Sequence, residues 1–113
     1  MARVVKIMGE ADWAAALEAG RAPPAAVDLK DGFIHLSTES QALETARLHF
    51  AGRADLVVAI FDSEGFGDAL RWEPSRGGAL FPHLYGALAT SKALAVRRLR
   101  PAPGGAFEFG ETL

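Results

Sequence analysis

Asp55-Leu56-Val57-Val58-Ala59-Ile60-Phe61 is apolar at every position after its first residue. A strand with one wet face alternates polar and apolar side chains, whereas a run that is apolar at both parities needs cover on both faces. This segment therefore reads as the central strand of the domain and the backbone of its core.

On its N-terminal side, Thr38 with Gln41 three residues on has the form of a capping box. Ala42, Leu43, Ala46 and Phe50 then share one helical face as far as Gly52. Glu10 to Gly20 reads as a first helix, with acidic residues in its opening turn and a glycine stop. Residues 21–30 contain Pro23-Pro24 and read as a loop, closed by the Asp31-Gly32 turn. The opening stretch, Met1 to Gly9, carries Lys6 and reads as a first strand rather than a signal peptide.

On the C-terminal side, Asp62 to Asp68 is a loop and Leu70 to Glu73 a short strand stopped by Pro74. Ser75-Arg76-Gly77-Gly78 is a turn without the Lys-Ser/Thr of a phosphate loop. Phe81 to Tyr85 is extended, Gly86-Ala87-Leu88 is a turn or short helical piece, and Ala93 to Leu99 is a closing strand. Phe107-Glu108-Phe109 is either a small edge strand or part of a loosely attached tail. The expectation is a single domain over 1–113, with its core over about 3–100 and a C-terminal tail over 101–113. Its class is α+β, two helices packed on a curved mixed or antiparallel sheet around a small polar cleft.

The 113 residues are 50% hydrophobic and 23% charged, a composition that folds into one compact core. Without cysteine there is no disulfide framework, thiolate metal site or cysteine nucleophile, and a reducing cytoplasm fits. No segment is long enough to span a bilayer. A net charge of −2 gives no general attraction to phosphate backbones, so neither nucleic acid nor membrane is an expected partner. Arg97, Arg98 and Arg100 form the densest basic run; alternation puts Arg98 and Arg100 on one face, the pattern of a charge-guarded strand edge.

Three stretches place polar residues inside apolar strands: Phe33-Ile34-His35-Leu36-Ser37, Leu70-Arg71-Trp72-Glu73 and Phe81-Pro82-His83-Leu84-Tyr85. Period-two alternation pairs His35 with Ser37, Arg71 with Glu73, and His83 with Tyr85. Buried polar groups are costly unless they are paired, so each pair points either to a structural network or to a shared ligand cleft. In the second case His83 and Glu73 are the acid–base candidates, while Arg71 offers a bidentate fork to an anion and Tyr85 a flat wall. Ser37 serves as a cap or a ligand contact, Thr38 opens a helix N-terminus suited to oxygen-rich groups, and Trp72 alternates toward the core. His35, His83 and Glu73 lie on separate strands without metal-binding spacing, so no metal is assigned. Ser37 lacks the nucleophile elbow of a hydrolase.

With Asp31-Gly32 ahead of the first stretch, Gln41, the Asp55-Leu56-Val57 strand and Gly86 after the third, these motifs resemble the small bacterial family called domain of unknown function 952, from about Trp13 to Arg97. That resemblance implies membership of the ADP-ribosyltransferase-like superfamily, whose fold is a split, curved pair of small sheets holding NAD in a cleft. It implies that His35 and Ser37 hold the nicotinamide ribose and that Tyr85 serves as the aromatic wall. A glutamate of the superfamily stabilises the oxocarbenium-like centre and follows on a later strand; here Glu73 precedes Tyr85, and Glu108 is the later candidate. Two readings follow, an ADP-ribosyltransferase-like protein with NAD or a related nucleotide as ligand or substrate, and a non-catalytic small-molecule binding module. A third class is an interaction protein whose polar strands form a rigid network.

Overall fold

The structure, a computed structural model, describes residues 2–113; Met1, the start of the expected first strand, lies outside the described residues. Strand β1 (Arg3–Gly9) runs into helix α1 (Glu10–Ala19). Its alanine-rich sequence favours helix, Glu10 and Asp12 meet the positive end of its dipole, and Gly20 ends it at φ +83, a left-handed conformation that suits glycine.

The expected loop over 21–30 instead holds a two-residue strand, β2 (Arg21–Ala22), and a short helix, α2 (Ala26–Asp31). The helix start is fixed by the Asp28 carboxylate, which accepts the Ala25 N–H at 2.8 Å. The expected strand over 33–37 is likewise divided, into β3 (Ile34–His35) and β4 (Ser37–Thr38), which belong to different sheets.

Helix α3 (Glu39–His49) begins with the capping box legible in the sequence. Thr38 Oγ1 accepts the Gln41 N–H at 3.1 Å and Gln41 Oε1 accepts the Thr38 N–H at 3.0 Å. Then come β5 (Leu56–Asp62), β6 (Leu70–Pro74), β7 (Leu80–Leu84), β8 (Leu88–Ala89), β9 (Ala93–Pro101) and β10 (Phe107–Thr112).

The class is α+β and the strand pairings are antiparallel, with three α-helices rather than two and three sheets rather than one among the described residues. The largest sheet has the order β10-β9-β5-β1-β4, beside a three-stranded sheet β3-β7-β6 and a two-stranded pair β2-β8. Strand β5 is central, as its composition requires. Val57, Ala59 and Phe61 face Trp13 and Ala16 of α1 together with Ile34, Leu70 and Leu84 of the three-stranded sheet. Leu56, Val58 and Ile60 face Ala42 and Ala46 of α3. Fully burying an aliphatic or aromatic side chain contributes about 1.5–3 kcal/mol, and β5 does so at both parities.

Of the two readings of Phe107-Glu108-Phe109, the edge strand holds rather than the loose tail. Strand β10 pairs with β9 through Phe107–Pro101, Glu108–Arg100 and Phe109–Leu99, and Phe107 is buried among the α3-side core residues. The basic run lies on β9, where Arg98 meets Glu10 and Glu111 and Arg100 meets Glu111. None of the helices among the described residues is long and apolar enough to cross a membrane.

Candidate functional site

Register decides what the polar strands share. His35 stands opposite His83 across the β3–β7 ladder, and Arg71 stands opposite His83 across β6–β7. Residues directly opposite in an antiparallel pair project to the same face, so His35, His83 and Arg71 form one row. Glu73, two residues from Arg71, shares that face. The other parity carries Ile34, Leu84 and Leu70 into the core.

Trp72 was expected in the core with that parity, but it is 39% exposed. It lies on the edge strand β6, opposite Pro82 and past the Leu70–Leu84 pair that meets the core.

The two histidines are held differently. His83 is buried, and its Nδ1 lies 2.9 Å from Glu73 Oε1, which also accepts the Tyr85 hydroxyl at 2.7 Å. An ionised carboxylate only accepts hydrogen bonds, so His83 Nδ1 carries the hydrogen of that contact. No hydrogen bond joins His83 Nε2 to another described residue, and His83 is one of the residues lining a cleft. In His35 both ring nitrogens are engaged, Nδ1 with Asp28 at 2.7 Å and Nε2 with Asp31 at 2.9 Å. The Phe33 ring stacks on His83 at 4.1 Å and lies 5.2 Å from that of Tyr85.

Arg71 and Glu73 are not an ion pair along their strand. The Arg71 guanidinium sits over the Tyr85 ring at 4.8 Å, while Glu73 turns to His83 and Tyr85. The hydrogen bonds from Tyr85 and His83 hold the Glu73 carboxyl below its usual range, against a smaller opposing effect of desolvation. The same contact raises the Tyr85 phenol.

A cleft of about 500 Å³ opens beside this row, with Lys6, His35, Ser37, His49 and His83 among its polar walls and Phe50 and Phe81 among its apolar ones. Thus His35, Ser37 and His83 come together, from three different strands. Thr38, Arg71, Glu73 and Tyr85 do not line the cleft. The Thr38 side chain is taken by its cap, and the other three form a partly exposed buttress around His83. Ser37 is buried with its hydroxyl 3.1 Å from that of Thr45, and it caps no helix. Glu108 is exposed on β10, across the five-stranded sheet from β4, so it stands away from the cleft. Among the described residues no cluster of three His, Cys, Asp or Glu side chains is arranged to hold a metal ion.

Sequence reasoning missed Asp28, whose side chain is 1% exposed. Its oxygens accept from the His35 amide at 3.0 Å and the Ala25 amide at 2.8 Å, besides meeting the His35 ring and Lys6. Burial works to raise its carboxyl, but the His35 amide, the Lys6 charge, the His35 ring and the Ala25 amide together hold it below its usual range. The available signal was Lys6, a lone charge inside the apolar run Val4 to Met8 that had to find a buried counter-ion.

The family model described as "Protein of unknown function (DUF952)" matches residues 7–96. The chain belongs to the DUF952 family. Among solved structures, this DUF952 chain is similar to the crystal structure of protein CC0527 from Caulobacter crescentus, with 45% identity and a TM-score of 0.89, covering 94% of this chain and 93% of that one. The solution NMR structure of the same protein gives 46% identity and a TM-score of 0.83, covering 94% and 91%. No curated protein matches the chain.

Proposed function

We propose that this DUF952 protein is ADP-ribosyltransferase-like and takes NAD or a related nucleotide into the cleft beside His35 and His83. The observation that carries this reading is His83 itself: its Nδ1 is fixed by Glu73, its Nε2 bonds no other described residue, and it lines a cleft of about 500 Å³, a size typical of small-molecule sites. In this reading the ribose lies against Ser37 and the His35 ring at the cleft wall, with contact to His35 through the ring rather than its nitrogens, while Phe33 and Tyr85 lie outside the cleft and hold His83 in place. His83 is the group placed to exchange a proton with the ligand, and Glu73 is a positioning residue that orients it.

One observation favours binding without group transfer. Both Tyr85 and His83 converge on Glu73 Oε1, and Glu73 does not line the cleft, so among the described residues no carboxylate lines it to stabilise positive charge developing there. Calorimetry with NAD, ADP-ribose and nicotinamide, run beside an assay of NAD cleavage, separates the two. Binding with cleavage supports the transferase reading, binding without cleavage supports the module, and no binding at millimolar ligand overturns both.

A further inference from the structure

A buried ammonium is expensive unless its charge is matched and its donors are used. The Lys6 side chain is only 11% exposed, on a strand whose neighbours Val4, Val5, Ile7 and Met8 are all buried. Its Nζ meets Asp28 Oδ2 at 3.3 Å and the His35 carbonyl at 3.2 Å. Both contacts are longer than the 2.7–2.9 Å usual for a charge-assisted bond. An ammonium has three donors, and among the described residues these partners occupy two.

The counter-ion is shared. Asp28 divides its two oxygens among Lys6, the His35 ring and the amides of Ala25 and His35. The two charges also border different spaces. Asp28 lines a second cavity of about 480 Å³ with Arg21, Phe33 and Gly86, whereas Lys6 lines the cleft that holds Ser37 and His83. The cleft therefore borders the cation of the pair and not its carboxylate.

We infer that Lys6 is the anion-receiving residue of the cleft, seating a phosphate oxygen of the ligand on its remaining donor. This rests on the nucleotide reading above and narrows it: phosphate-bearing nucleotides are taken in preference to nucleosides of the same base. A phosphate oxygen there completes the ammonium's hydrogen bonding and strengthens a charge balance that Asp28 meets only from 3.3 Å. No bond is made or broken in this step.

The test compares ADP-ribose, adenosine and inorganic pyrophosphate on the full chain, by calorimetry and by NMR of the Lys6 side-chain resonances. ADP-ribose should bind at least tenfold more tightly than adenosine, with an affinity that falls as salt rises. Pyrophosphate should compete with it and shift the Lys6 signals. The paired change Lys6→Met with Asp28→Asn removes both charges together and should abolish the preference for ADP-ribose over adenosine. The wild-type NMR measurement holds even where that variant fails to fold.

If ADP-ribose binds while the Lys6 signals stay still, or adenosine binds as tightly, Lys6 is not the anion seat and the nucleotide reading survives. If pyrophosphate shifts Lys6 but no nucleotide binds, the anion seat stands and the nucleotide reading falls. If none of the three ligands binds, both fall.

Discussion

His35 and His83 face one another across the β3–β7 ladder with ring centroids 5.7 Å apart, yet among the described residues only His35 has both ring nitrogens hydrogen-bonded. Asp28 and Asp31 occupy both nitrogens of His35, while Glu73 occupies one of His83. The first histidine ties α2 to β3, and the second borders the cleft.

That division predicts the effect of Glu73→Gln. An amide can donate as well as accept, so the variant no longer forces the His83 hydrogen onto Nδ1. Nitrogen NMR of the His83 ring should show the Nδ1–H tautomer dominant in the wild type and a substantial Nε2–H population in the variant. The denaturation midpoint should barely move, because Glu73 is partly exposed and solvent screens its contacts. An unchanged tautomer would remove Glu73 from its positioning role.

Asp28→Asn should be far more costly. The variant leaves the Lys6 ammonium buried without its counter-ion and turns an amide donor toward hydrogens that Asp28 now accepts. Breaking a buried pair on one side costs about 3–5 kcal/mol, measurable by urea denaturation. A loss no larger than that of a typical surface change would mean that the α2 anchor lies elsewhere.

The same carboxyl sets an acid limit. Its folded value is held below the unfolded one of about 3.9, so its contribution is fully present above that pH. It is lost as pH falls through the lower, folded value. Stability should therefore drop steeply with acid below about pH 4, and Asp28→Asn should flatten that part of the curve. Parallel curves for the two proteins would refute the assignment.

Thr38→Ala should cost about 1 kcal/mol through loss of the cap and leave ligand affinity unchanged, since the side chain is already engaged with Gln41. Thermal melting and calorimetry on the same sample read both effects; a loss of affinity without a loss of stability would return Thr38 to the ligand.

Phe107→Ala should destabilise the domain by about 3–5 kcal/mol, the usual cost of emptying a buried aromatic site. The side chain packs with Leu56, Leu99 and the α3-facing core. A melting temperature within a degree of wild type would restore the loose-tail alternative for Phe107-Glu108-Phe109.

The sequence by itself determined the features set by short-range chemistry. The two-parity apolar run fixes β5 at the centre, Gly20 ends α1, Thr38 with Gln41 starts α3, and alternation puts Arg71 with Glu73 on one face. Each follows from residues within one or two turns, or from strand period alone. What tertiary structure decided involves partners far apart in the chain. Asp28 reads as a loop acid until Lys6, 22 residues earlier, needs a counter-ion. The 33–37 stretch reads as one strand until β4 pairs with β1 while β3 pairs with β7. Trp72 has core parity but lies beyond the end of the core on an edge strand. Parity and composition fix which way a side chain can point; the register between distant strands fixes what it meets there, and that register is a property of the assembled sheets.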